Sequence, residues 1–180
     1  MTAPDNQTPS AAPVQMGEPP LDKPYYGIGF GGAVARYFKK YATFAGRASR
    51  SEYWWVYLFT AIVTIVLTSL GQVTAVAMVV GVVSIVWTLG TIIPNLAVAV
   101  RRLHDTNKSG WLVLLPAVFS YGGQLVSIIA LNNYVGNSSA SDSGTAGLIL
   151  GDAALTVVGF VLALVLYTGA SKPEGARFDK

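Results

Sequence analysis

The chain has no cysteine and a single histidine, His104. Without thiols there is no disulfide framework and no thiolate metal site, and one imidazole cannot by itself assemble a zinc ligand set. The residues therefore predict no metal and no cofactor. Charge is also scarce. Lys, Arg, Asp and Glu make up 12% of the 180 residues, against about 25% in a soluble domain. The shortage is local: Tyr53 to Val100 carries no charge, and neither does Ser109 to Ala140. Uncharged apolar runs of about 18 or more residues read as membrane spans. Hydrophobic residues supply 52% of the chain, and the mean hydropathy is +0.50. These values exclude an ordinary soluble domain.

Four runs are long enough to cross a bilayer, at about 53–70, 73–100, 111–131 and 146–170. The second is longer than a span needs, so tilt or a break near Pro94-Asn95 is expected to absorb the excess. The first begins after residue 52, too far in for a usual secretory signal, and is expected to stay as an anchor.

Ahead of the spans, residues 1–32 are rich in Pro, Ala, Gln, Ser, Thr and Gly. A stretch without apolar period cannot offset its ordering entropy, so this reads as a disordered tail. The glycines at 27, 29, 31 and 32 follow no predicted strand and read as a hinge rather than a phosphate loop. The membrane domain is therefore placed at 33–180. Its first element, Ala33 to Ala45, has Val34, Tyr37, Phe38, Tyr41 and Phe44 on one side. Arg36, Lys39, Lys40 and Thr43 fall mostly on the other. That pattern predicts an amphipathic helix lying in the membrane interface, ended by Gly46.

Ser49-Arg50-Ser51-Glu52 matches a capping box and predicts the start of the first span. Tyr53, Trp54, Trp55 and Tyr57 follow as an interfacial belt. Five Lys or Arg lie between Arg36 and Arg50, three between the second and third runs, and three after the fourth. The other two loops, Gly71-Gln72 and Asn132 to Thr145, have none. The positive-inside rule then places both termini in the cytoplasm. Basic residues flanking spans suit anionic lipid, and the +3 net charge is not taken as a sign of nucleic acid.

The densest polar stretch is Arg101 to Trp111, between the second and third runs. Arg101 and Asp105 stand four apart and are expected to face each other on a helix. Arg102 is placed to meet lipid phosphates, and His104 adjoins Asp105. This is a candidate head-group, anion or proton site. The competing reading is a structural joint, in which Asp105 neutralises an arginine and Asn107 or Ser109 caps the third span. Within the spans, Asp152 is a candidate for transport, and Asn95 and Gln124 for hydrogen bonds between helices. Gly147, Gly151, Gly159 and Ala163 form a small-residue face suited to close packing, within the bundle or between protomers.

Two motifs carry a family resemblance. Phe44-Ala45-Gly46-Arg47-Ala48-Ser49-Arg50-Ser51-Glu52-Tyr53-Trp54 resembles an F-x-G-R-x-x-R-x-E-Y-W motif. Arg101-Arg102-Leu103-His104-Asp105, with Ser109-Gly110-Trp111, resembles R-R-L-H-D-x-x-x-S-G-W. Both are similar to the domain of unknown function 805 family, small bacterial inner-membrane proteins, over roughly Tyr37 to Phe178. At Gly175-Ala176-Arg177-Phe178-Asp179 the chain departs from the family's usual G-x-N-R-F/Y-G. The resemblance implies a bacterial inner-membrane location and no assigned activity.

The expected fold is thus an all-α membrane protein: four transmembrane helices, an interfacial amphipathic helix and a disordered tail. The expected function is a non-catalytic interaction or envelope-organising module. Its cytoplasmic face, with Arg47, Arg50, Glu52, Arg101, Arg102, His104 and Asp105, would bind anionic lipid. A membrane-protein partner or a second copy of the chain is the other candidate. The alternatives are a small transporter or channel using Asp152, Gln124 and Asn95, and an enzyme acting on lipid head groups through His104 and Asp105.

Overall fold

The computed structural model describes residues 18–136 and 143–179. Residues 1–17 of the expected tail and 137–142 of the expected polar loop lie outside the described residues. The described residues are helical, with no strand: α1 (Phe30–Lys39), α2 (Arg50–Gly71), α3 (Ala77–Asp105), α4 (Leu114–Gly136) and α5 (Ser143–Tyr167). Short 3-10 turns precede α4 (Gly110–Val113) and follow α5 (Pro173–Phe178). Three segments are long and apolar enough to cross a membrane: α2, α3 and Ala146–Tyr167 of α5. A shorter apolar helical stretch covers Gly110–Gly123.

The start of α2 follows from local sequence. The Ser49 hydroxyl accepts from the amide of Glu52 at 3.1 Å, and the Glu52 carboxylate accepts from the amide of Ser49 at 3.1 Å. This reciprocal pair satisfies two amides that a helix start leaves orphaned. The 22 residues of α2 make about 33 Å of helix. Val73 to Val76 form a turn rather than the start of the next span, and α3 begins at Ala77.

No break occurs near Pro94-Asn95. Helix α3 runs unbroken through Pro94 to Asp105. Proline has no amide to give the carbonyl four residues back, that of Gly90. The Tyr41 hydroxyl supplies the missing donor at 2.5 Å. One residue on, Asn95 Oδ1 accepts from the Tyr37 hydroxyl at 2.9 Å.

Helices α2 and α3 form one antiparallel pair and α4 and α5 another, with α1 laid on α2. The small-residue face of α5 is used in its second half, at Gly159 and at Ala163, which packs on Ala99, Leu103, Val113 and Tyr167. A side chain at Gly159 would come within 2.9 Å of Ser120 Oγ on α4, whereas Gly147 and Gly151 face open space. Large apolar side chains along the helices point outward, Ile65, Met78, Ile85, Leu150 and Val165 among them. Enclosed packing is concentrated at the other extreme of the bundle, where the charged residues gather. There Ile28, Ala33, Tyr37, Ala48, Val56 and Val98 form one core cluster. Ala99, Leu103, Val113 and Tyr167 form a second.

Two expectations at this end change. Helix α1 stops at Lys39, six residues early, and Gly46 is not its cap. Gly46 turns a loop with φ +82°, and a Cβ there would sit 2.5 Å from the Asp22 carbonyl oxygen. The tail assigned to 1–32 is ordered from residue 18 onward, because its backbone carbonyls serve as acceptors for a buried arginine. Pro19, Pro24 and Ile28 are buried.

Candidate functional site at the charged end of the bundle

The largest fully buried side chains in the molecule include Arg36, Lys40, Arg101 and Arg102. A buried cation is tolerated only with partners, and the site is built from two carboxylates that supply them.

Glu52 is the first. Besides capping α2, it accepts from Arg36 Nε at 3.1 Å and from the amide of Tyr25 at 2.9 Å. The rest of the Arg36 guanidinium donates to the carbonyls of Pro19, Pro20 and Lys23 and to Glu18. The Ser49 hydroxyl donates to the Tyr25 carbonyl at 2.7 Å. One α1 side chain thus holds the preceding segment against the start of α2. Arg36 and Lys40 therefore turn inward together with Tyr37, while Lys39 and Phe38, and Tyr41 and Phe44 just beyond α1, are exposed. The reason is that Glu52 lies under Arg36 and nothing comparable lies outside. Lys40 joins this cluster less well. Its Nζ is 4.0 Å from Glu52 Oε1 and has no hydrogen-bond partner among the described residues. Burial, then Arg101, push its pKa down from the ordinary 10.5 to about 8.

Asp105 is the second. It pairs with Arg102, three residues back, and not with Arg101 as the spacing suggested. Arg102 does not face lipid: it is fully buried, and its other nitrogens donate to the carbonyls of Tyr167 at 2.9 Å and Gly169 at 2.6 Å. Those two carbonyls, at and just past the end of α5, draw it inward. Ser171 also donates to the Asp105 carboxylate, as does the Tyr26 hydroxyl at 3.0 Å. Burial, then the Asp105 charge, push the Tyr26 phenol up. Arg101 turns the other way and donates to the Ala97 carbonyl at 3.2 Å, near the Glu52 cluster.

His104 and Arg47 connect these clusters to the last turn. The His104 ring stacks on Phe178 with centroids 3.9 Å apart and planes 5° apart. Its Nδ1 donates to the Gly46 carbonyl at 3.2 Å. Arg47 grips Asp179 with two hydrogen bonds, at 2.8 and 2.6 Å, and this grip raises its already high pKa. Backbone bonds run Gly46 to Phe178, Arg47 to Asp22, Ala48 to Arg101 and Lys172 to Asp105. Gly175 lies so close to the His104 carbonyl that a Cβ would collide with it. Arg50 stays exposed, donating to the Gly169 carbonyl at 2.9 Å. Ser109 occupies the position before the 3-10 turn but makes no capping bond, and Asn107 turns the chain with φ +58°.

The structure brings the two sequence motifs together at this end through direct bonds, Ala48 to Arg101 and His104 to Gly46. The intramembrane candidates are elsewhere and apart. Asn95 is occupied by Tyr37. Asp152 rests on α4, where a Cβ at Gly123 would come within 2.8 Å of its Oδ1. The side chain of Gln124 lies outside the described residues. Sequence reasoning missed Tyr26, Tyr41, Ser171 and the carbonyls of Pro19, Pro20 and Lys23. Only Tyr41 left a signal, since Pro94 always frees a carbonyl in a helix.

Long helices with apolar side chains outward and charges gathered at one end make this an integral membrane protein. The chain belongs to the DUF805 family, described as a protein of unknown function, which matches residues 41–180. It is similar to the inner membrane protein YhaI of Escherichia coli (strain K12), 38% identical over 89 residues, covering 43% of this chain and 74% of YhaI. It is also similar to the inner membrane protein YhaH of the same strain, 36% identical over 93 residues, covering 51% of this chain and 76% of YhaH. No solved structure matches. With its apolar helices, these relatives make the chain a multi-pass bacterial inner membrane protein.

Proposed function

We propose that the chain is a four-span, non-catalytic module with both ends in the cytoplasm, whose exposed cations hold anionic lipid or a membrane-protein partner. One observation carries this reading. Arg36, Arg47, Arg102, Glu52, His104 and Asp105 are each committed to partners inside the fold. A hydrolytic or transfer centre needs a group free to meet substrate. Among the described residues the exposed cations are Lys23, Lys39, Arg50, Lys172 and Arg177. They all belong to segments on the charge-rich side of the spans, which supports a cytoplasmic face. In this reading α4 is the third span, paired with α5 as the fourth.

The test is lipid retention by the full chain purified in mild detergent. Charge reversal of Lys39, Arg50 and Lys172 together should lower co-purified anionic lipid and leave zwitterionic lipid unchanged. Retention that ignores both the reversal and added salt would sink the lipid reading. A reporter fused after residue 180 that proved extracytoplasmic would sink the topology.

A further inference from the structure

The α2–α3 pair and the α4–α5 pair do not close on each other along their length. Among the described residues α2 packs on α1 and α3, and α5 on α4 and α3, while α2 makes no comparable contact with α4 or α5. Between the pairs lies a cavity of about 380 Å³ lined by all four helices. Its lining has no charged residue. It does have four phenols, Tyr53, Tyr57, Tyr121 and Tyr167, whose hydroxyls have no hydrogen-bond partner among the described residues. The cavity is shut toward the charged end. Tyr53 lies against Tyr167 with ring centroids 4.6 Å apart, and Arg102 holds the Tyr167 carbonyl.

A void at this depth forfeits the dispersion contacts of its walls, and an unpartnered hydroxyl away from water costs a hydrogen bond. The occupant must therefore be apolar over most of its surface and uncharged where it meets the walls. It must also bring acceptor oxygens to the phenols. At roughly 30 Å³ per small group, the space takes about a dozen heavy atoms, one chain rather than a whole lipid. With the charged end set at the membrane surface, Tyr53 and Tyr167, which border it, fall near the level where a glycerolipid carries its ester carbonyls. Deeper in, Thr60, Thr156 and Phe160 line the path of a tail.

We propose that this cavity binds one ester-linked acyl chain of a bilayer phospholipid, with its carbonyl accepting from the tyrosine hydroxyls. The site is separate from the exposed cations and rests on the four-span reading only in placing α4 within the bilayer.

The experiment uses the full chain in nanodiscs of phosphatidylcholine carrying a trace of phosphatidylcholine with a photoactivatable diazirine on one acyl chain. Cross-links mapped by mass spectrometry should concentrate on cavity residues such as Ala117 and Phe160. Ala163→Trp, which fills the cavity, should lower them about tenfold while cross-links to outward residues such as Ile65 stay constant. In case that variant does not fold, Tyr53→Phe with Tyr121→Phe removes hydroxyls without changing shape. It should abolish the preference of an ester-linked competitor over its ether-linked analogue. Cross-links spread evenly over the outward faces would overturn the proposal. So would equal competition by ester and ether lipids with the native chain, or displacement of the probe by an isoprenoid quinone but not by phospholipid. A cysteine in the 137–142 segment that labels from the cytoplasm would instead overturn the four-span reading, whatever the cross-links show.

Discussion

The His104 ring lies flat on Phe178, 3.9 Å away, while its Nδ1 donates to the carbonyl of Gly46. Both faces of the interaction are structural, so the histidine is expected to answer to shape. His104→Phe should keep most of the thermal stability measured in detergent, and His104→Ala should lose it. In a double-mutant cycle, His104→Ala and Phe178→Ala should couple by about 0.5–1.5 kcal/mol, as aromatic pairs do. Strict additivity would show that the stack contributes nothing.

Asp105, itself fully buried, gathers Arg102, Ser171 and Tyr26. Asp105→Asn leaves Arg102 buried without its counter-charge and should cost about 3–5 kcal/mol. Replacing both residues with leucine should cost less than the sum of the two single changes. Unfolding followed by thermal shift in detergent reads this out, and a double variant that loses as much as the two single ones added together would contradict it.

Tyr41 stands in for the amide that Pro94 lacks. Tyr41→Phe leaves the Gly90 carbonyl unsatisfied at a cost of about 1–3 kcal/mol. In a Pro94→Ala background, where the backbone bond to Gly90 returns, the same change should be close to neutral. A Tm loss of equal size in both backgrounds would separate Tyr41 from the proline.

Lys40 has a folded pKa of about 8 against an ordinary 10.5. The fold therefore disfavours its charged form. Below about pH 8 the lysine is charged in both states and the full penalty is present. Between 8 and 10.5 the unfolded chain binds the extra proton, so stability should rise with pH across that window. Lys40→Met should raise Tm at pH 7 and flatten this rise. A pH profile unchanged by the substitution would clear Lys40 of the effect.

The local features of this fold were readable in advance. The capping box of Ser49 and Glu52 spans three residues, and its chemistry depends on nothing further away. The helices were readable from their uncharged runs. What depended on distant partners was not readable. An amphipathic pattern does not say which face of α1 meets protein, because Glu52, 16 positions beyond Arg36, decides it. Spacings of three and four both bring side chains together on a helix. The choice of Arg102 over Arg101 for Asp105 was made by carbonyls at Tyr167 and Gly169. The ordering of residues 18–29 rests on backbone carbonyls, which look the same for every residue type.

The grip of Arg47 on Asp179 joins positions 132 apart. Every helix from α2 to α5 is synthesised between them. The enclosure of the charged end therefore cannot form until all four of these helices have been made. Until then Arg47 and the open face of His104 stay uncovered. A ribosome stalled within α5 would leave the inserted helices without this final clasp, a difference that a membrane protease could sense without reading any other part of the molecule.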